Sequence, residues 1–511
     1  MGNASHALGR LAVVLAAALV LGPATVGGAP RIDKDTLVVA QGFDPRCLSP
    51  LFGTAQQDKN VSGQVVERLV QFSPDSLGYL PELAIRWQKV SPDTLRLTLR
   101  QGVRFTNGEP FNALSAKYSL DQMIAARSLA FFVEMLRGAE VADLYTVDLK
   151  AKGPTSERLM LSALAMGSFQ YPPAYTEQAG LLRGFCNRPI GTGPYKFVEW
   201  IKDDRVLFEA NGDYWGGAPR FKRLIFRPIP EGAARVAALQ AGDVDLAIEI
   251  PLDAWDRITK DPNLATHWIR GMRIFRLTLA AKWEGPLQNK KVRQALQYGI
   301  DVDAIIRTVL KGRARRLEGQ PLTNEYFGYQ QDLKAYPYDP ERTKRMLAEA
   351  GFPNGFEVTF KYPHGRYAQD KEVSEAIAAQ LLKVGVRTKQ VVLEPGEFLT
   401  QLSALGLRDM FFSGSLPPPD AHYFYTQFMC DFRYAYWCRS EFDGLVRRAV
   451  TTPDDRDRNK LYREAAVLLQ DDPTGISLYA PHDLYATAKT VAGWRPYKDQ
   501  FLYLGKAYKR D

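Results

Sequence analysis

The sequence predicts an α/β protein, and three observations carry that prediction. Beyond Arg276, apolar residues recur at helical spacing and the helices alternate with short apolar strands. Residues 187–251 read as turn clusters and strands, followed by a helix closed at Gly242 and one more strand. Residues 83–149 differ in character, with alternating strands and an Asn107-Gly108 turn that suggest a separate small unit. Strands interleaved with helices are expected to form a sheet covered by helices.

The apolar run over residues 11–21 follows Arg10, and small residues (Ala24, Gly27, Gly28, Ala29) come after it. A run this short cannot cross a bilayer core, which needs ~20 apolar residues. It reads as a secretory signal peptide over residues 1–29, cleaved between 24 and 29. The first cysteine is Cys47, so a lipoprotein anchor is not expected.

The length of 511 residues gives a prior of about three domains, and 46% hydrophobic residues supply real cores. The net charge of +9 is dispersed, and its densest group, Lys311, Arg313, Arg315 and Arg316, reads as solvated surface. Nucleic acid is therefore not an expected partner.

The first mature strand is Thr36-Leu37-Val38-Val39-Ala40-Gln41, ending at Gly42-Phe43-Asp44-Pro45. A helix over residues 61–69 would place Val61, Val65, Val66 and Leu69 on one face. The alternating strand at residues 95–100 precedes the Asn-Gly hairpin signal, and Asn112 is a plausible helix N-cap. Residues 140–149 read as a further strand.

Asn187-Arg188-Pro189-Ile190-Gly191-Thr192-Gly193-Pro194 makes a rigid bend before strands at residues 195–200 and 206–210. Gly191-Thr192-Gly193 lacks the third glycine of a dinucleotide fingerprint and the end of a P-loop, so it reads as a turn. The aromatic turn Asn211-Gly212-Asp213-Tyr214-Trp215 follows, then a strand at 224–229 and a helix at 232–241. Helices at 292–300 and from Asp301, a helix before Gly351, a strand at 356–360, a helix at 373–382 and a strand at 386–392 complete the pattern.

This order is similar to that of the bacterial extracellular solute-binding proteins of family 5, receptors of peptide- and nickel-type ABC importers. Gly191-Thr192-Gly193-Pro194-Tyr195, the helix-Gly242-Asp243-Val244-Asp245 step and the block from Leu95 to Phe111 carry the resemblance, which spans residues 36–494. It implies a two-lobed periplasmic binding protein fold of type II, with an extra inserted domain and a hinge between the lobes. Lobe I would comprise residues 30–72, 187–275 and 485–511; the inserted domain, 73–186; and lobe II, 276–484. It also implies a monomeric periplasmic receptor that closes over a small solute and docks onto a membrane permease.

Four cysteines in an exported chain suggest two disulfides. Cys430 and Cys438 are close in sequence and flank an aromatic stretch. Cys47 with Cys186 is the remaining pairing, its alternative being two free buried thiols.

Nothing in the sequence supports catalysis: there is no Gly-x-Ser-x-Gly elbow and no His-Glu-x-x-His. An exported hydrolase is the distant alternative. No cofactor is expected. His364, His422 and His482 would need to converge in space to hold a metal, and their spacing does not indicate that.

In peptide-binding members, a Trp-x-x-Asp-Tyr-Pro-Asp-Pro-Asp segment carries the acid that holds the peptide's amino terminus. The matching stretch here is Ser413-Gly414-Ser415-Leu416-Pro417-Pro418-Pro419-Asp420. Ser415 stands in the acid's place, Pro418 replaces the second Asp, and Asp420 remains. The resemblance thus implies a peptide or a peptide-like or opine-like compound, while the departure at Ser415 tells against a generic di- or oligopeptide and leaves a sugar-linked compound, a metal chelate or haem as alternative ligands. Ligand-binding candidates are Phe43, His364, Arg366, Ser415, Asp420, His422 and Trp437. Arg366 is suited to a carboxylate or phosphate, and Trp437 to stacking.

Overall fold

In the computed structural model, the strand Thr36–Gln41 is buried along its whole length, as its unbroken apolar run requires. The structure describes residues 34–53, 55–76 and 78–510, without the side chains of residues 181 and 182. The apolar run at 11–21, read as an export signal, lies outside them. None of the described helices is long and apolar enough to cross a membrane.

Thr36–Gln41 has parallel neighbours on both sides, Arg223–Pro228 and Leu246–Ile248. Both belong to one 12-stranded sheet. From one edge its path runs through Val386–Leu393, Phe356–Pro363, Met410–Ser415 and Ile274–Leu279 to the long strand Gly475–Ala488. It continues through Leu246–Ile248, Thr36–Gln41, Arg223–Pro228 and Arg205–Ala210 to Tyr195–Ile201. Gly475–Ala488 thus belongs to both halves. Leu264–Arg270 pairs with its second part, and Ala314–Arg316 with its middle. Two large apolar cores flank the sheet, and a third lies under the helices after Asp420.

The stretch at 187–251 forms its elements nearly as the sequence predicts. Gly242 closes the helix Gly232–Ala241 at φ 81°, a left-handed position that favours glycine. Asp245, just beyond, accepts the backbone N–H of Val38 at 2.9 Å, which fastens the helix's exit to the first strand.

The helix expected at 61–69 is instead Gln56–Ser62, followed by a turn. The four apolar residues are buried as expected. However, the backbone carbonyls of Gln64 and Val65 accept the N–H groups of Tyr195 and Gly193 at 3.1 and 2.8 Å. A continuing helix would engage those carbonyls internally. The contact is so close that a Cβ on Gly191 would stand 2.0 Å from the Val65 carbonyl oxygen, and one on Gly193 2.7 Å away.

Glu67, fully enclosed, locks the same junction. It accepts from the Tyr214 hydroxyl at 2.7 Å, the Trp215 indole at 2.9 Å and the Thr192 hydroxyl at 2.7 Å. Burial, reinforced by neighbouring Glu82, pushes its carboxyl up to about 8 despite these donors. The aromatic turn and the glycine bend therefore meet at one acid.

The small unit has its own four-stranded antiparallel sheet, ordered Ala84–Ser91, Thr94–Leu99, Thr146–Ala151, Leu136–Asp143. The strand expected at 140–149 is two strands, because Asp143 accepts the Tyr145 N–H at 2.8 Å and turns the chain. The Asn107-Gly108 turn forms, with Gly108 at φ 92°, but its flanks keep only the Arg104–Pro110 bridge. Asn112 caps Ala113–Ala125 through Leu114 and Ser115, as the sequence indicates.

In the other half, Asp301 caps Val302–Thr308 by accepting the Ala304 N–H. Pro340–Glu349, Phe356–Pro363, Asp370–Lys383 and Val386–Leu393 alternate as expected. Both cysteine pairs form disulfides, Cys47 with Cys186 and Cys430 with Cys438.

Candidate functional site

Ligands of open α/β sheets bind beyond the carboxyl ends of parallel strands. Phe356–Pro363 runs parallel to Val386–Leu393 and to Met410–Ser415, so the segments after Pro363 and Ser415 emerge at the same edge. The first is a tight loop wrapped around one carboxylate. Buried Asp370 accepts the backbone N–H groups of Gly365, Arg366, Tyr367 and Lys371 at 2.9–3.3 Å.

That loop directs Arg366 outward. Its Nε donates to the Tyr367 hydroxyl at 3.0 Å, and that hydroxyl donates to the Gly414 carbonyl at 3.2 Å. Arg366 is thereby tied to the strand that ends at Ser415. Its terminal nitrogens have no partner among the described residues, leaving a bidentate fork available. Beneath it, the Tyr367 ring meets Phe275 edge-on at 4.9 Å, and the Arg273 guanidinium lies 6.0 Å from the same ring. Ser415 donates to the Gln427 side chain at 3.4 Å. His364 is exposed, with Nδ1 3.4 Å from Asp370.

The other half contributes the ends of its own parallel strands. Phe43, just past Gln41, is 57% exposed. Gly42 sits so close to Glu249 that an added Cβ would lie 3.1 Å from the carboxylate, and Gln57 donates to Glu249 at 3.0 Å. Between the halves stands Asp483, whose carboxyl burial pushes up to about 6 against the donation from Gln500 and the charge of Arg273. Arg273 thus bears on both Asp483 and the Tyr367 ring, and Glu249 bears on Asp483 from the other half.

Three candidates fall elsewhere. Asp420 is fully enclosed and paired with equally enclosed Arg458, whose Nη2 lies 3.1 and 3.0 Å from its two oxygens. It also accepts the His422 N–H at 3.0 Å, so its carboxylate is satisfied within the framework and faces no cleft. Arg458 reaches further, to the Ser156 hydroxyl at 2.9 Å and to Asp455 at 3.0 Å, joining the helix Asp455–Asp471 to the small unit. His422 is buried beside Tyr423, with Nε2 3.4 Å from Glu134 of the small unit. Trp437 is 3% exposed and meets Phe442 edge-on at 5.5 Å, which makes it core rather than a stacking surface.

The three histidines therefore occupy three different places. His482 stacks on Trp268 at 4.6 Å, and burial followed by Arg313, Arg270 and Arg315 pulls it down to about 4. Among the described residues, no group of three His, Cys, Asp or Glu side chains is placed to hold a metal. Tyr367, Arg273, Gln427 and Glu249 were not singled out from the sequence. Tyr367 adjoins Arg366 in the same strand-to-helix loop, which is a local signal, whereas Arg273 and Glu249 carry none.

Comparison with known proteins gives a consistent result. The family model described as bacterial extracellular solute-binding proteins, family 5 Middle, matches residues 78–435. Heme-binding protein A of Haemophilus influenzae is 29% identical over 473 residues, covering 86% of each chain. Glutathione-binding protein GsiB of Pectobacterium atrosepticum is 29% identical over 481 residues, 89% of this chain and 91% of that one. The periplasmic binding protein DppA of Helicobacter pylori, solved with the peptide STSA, superposes with a TM-score of 0.80 at 24% identity, covering 93% and 98%.

Proposed function

Since the chain belongs to the bacterial extracellular solute-binding proteins of family 5, we propose that its cleft captures a peptide-like compound by a carboxylate, with Arg366 as the anchoring group. The family supplies the role, substrate-binding component of an ABC importer; its members are transport components rather than enzymes. One observation carries the ligand reading. A preorganised loop presents a guanidinium with free terminal nitrogens beside Ser415, where peptide-binding members are expected to place an acid.

An ammonium entering a closing cleft loses its hydration, and a buried unpaired charge is costly. With Ser415 in place of a carboxylate and Asp420 engaged by Arg458, no acid on this strand end is free to receive it. A ligand whose free groups are mainly carboxylates fits better, and Phe43 offers an apolar wall from the opposite half. Glutathione and short acidic peptides are the compounds to try first. Haem is the weaker reading, because His422 is buried and His482 lies under Trp268, leaving His364 as the one exposed candidate axial ligand in that region.

The same reading divides the mature chain into lobe I (30–72, 187–275, 485–511), an inserted domain (73–186) and lobe II (276–484). It assigns residues 1–29 to export and gives the closed receptor a permease partner. Calorimetric titration of glutathione, dipeptides, tripeptides and their N-acetylated forms tests the ligand assignment. N-acetylation should cost little, whereas Arg366→Gln should weaken binding roughly tenfold or more, the worth of a charge-assisted hydrogen bond of ~1.5–3 kcal/mol. Ser415→Asp should introduce a dependence on the free amine. Tight, amine-dependent binding by the unmodified protein would overturn the reading.

A further inference from the structure

Arg276 is a cation with no ion-pair partner among the described residues. It lies on the strand Ile274–Leu279, opposite Ser413 on one neighbour and Ser477 on the other. Its guanidinium stands 4.5 Å from the Phe428 ring centroid and 5.8 Å from that of Phe424. Nε and Nη1 are sealed from solvent and have no hydrogen-bond partner among the described residues, so only Nη2 can open onto the space beside the side chain. Burial alone pulls it down to about 10. The aromatic faces offset part of the desolvation, but they accept no hydrogen bond from Nε or Nη1 in the plane of the guanidinium.

The side chain lines a partly enclosed cavity with room for about 40 Å³, shared with Gln297, Tyr336, Gln470, Thr474 and Ser477. That is space for a few waters or one small ion. Every polar neighbour just named is neutral, and no carboxylate lines the cavity. Arg316, the second cation there, is already engaged by Asp303 and the Tyr336 carbonyl at 2.7 Å each. The residue as a whole is partly exposed, but Nε and Nη1 are not, and a charge sealed on that side without a partner is costly.

We propose that this cavity is a binding site for a small monovalent anion, a halide or a formate-sized carboxylate, with Arg276 as its counter-charge and the neighbouring hydroxyl and amide groups completing its shell. The site is independent of what the cleft carries, because its groups line the interior between Ile274–Leu279 and the start of Gly475–Ala488. Crystals of the full mature protein soaked in sodium bromide should show an anomalous peak within hydrogen-bond reach of the Arg276 guanidinium. In solution, at constant ionic strength, exchanging gluconate for formate or chloride should raise Tm by about 2–4 °C in a saturable manner. Arg276→Met should abolish that response while leaving a folded protein, because an apolar chain suits the Phe424 and Phe428 wall. Should that variant fail to fold, the bromide experiment on the unmodified protein decides by itself. Water alone at Arg276 in bromide-soaked crystals, or equal anion responses with and without the arginine, would overturn the assignment.

Discussion

Replacing Asp420 by Asn separates a framework role from a ligand role. The carboxylate is fully enclosed, accepts from Arg458 at 3.0 and 3.1 Å, and caps the next helix through His422. Asn keeps the shape and the cap but removes the charge that balances Arg458. Of its two acidic partners the guanidinium then keeps only Asp455, which is 39% exposed and correspondingly screened. Breaking a buried pair on one side costs about 3–5 kcal/mol, because the remaining charge stays buried. For a cooperative unit of 150–250 residues, that corresponds to a fall in Tm of roughly 6–20 °C. Calorimetric scans and urea titrations of both proteins measure it. A loss below 1 kcal/mol, together with a tenfold weaker affinity for amine-bearing ligands, would show that Asp420 serves the cleft and that the framework reading is wrong.

Glu67→Gln should flatten the pH dependence of stability. With its folded-state value near 8 and its unfolded value near 4.5, the native acid holds its proton longer, so raising pH through that window destabilises the wild type, by at most ~1.4 kcal/mol per unit. Urea midpoints at pH 5, 6.5 and 8 will reveal the slope, and an unchanged slope in the variant would assign it to another group. Gly193→Ala should destabilise by more than the ~1–3 kcal/mol typical of overpacking, because its Cβ meets backbone rather than a movable side chain; failure to lower the melting temperature would refute that. Removing the disulfide between Cys430 and Cys438, 8 residues apart, should cost about 2.6 kcal/mol. Removing that between Cys47 and Cys186, 139 apart, should cost about 5 kcal/mol in the same entropic model. Denaturation of the double-serine variants compares the two directly.

Elements whose cause is local were legible in the sequence. The helix cap at Asn112, the left-handed stop at Gly242 and the alternation from Pro340 to Leu393 all depend on residues within a few positions of each other. The helix expected at 61–69 was misread because a distant partner decides it: Gly193 and Tyr195 take the carbonyls a helix would use. The same limit applies at the site. Arg366, the proposed anchor, can be picked out from its place between a strand and a helix. The sequence kept Asp420 as a ligand candidate because Arg458, 38 residues on, does not announce itself as its partner. Trp437 was misread in the opposite direction: aromatic density marks a core as readily as a binding surface, and Phe442 decides between them.

Gly475–Ala488 is the central rung of the large sheet yet follows every other strand of that sheet in the chain. On one side it pairs with Ile274–Leu279 and on the other with Leu246–Ile248. A nascent chain emerges amino terminus first. Until residue 488 is available, the two half-sheets have no common seam, and Thr36–Gln41 and its neighbours lack the strand that joins them to the rest. Synthesis thus keeps the two half-sheets from joining until the strand at 475–488 has been made. Truncation before residue 475 should therefore disable both halves together, rather than leave the first one intact.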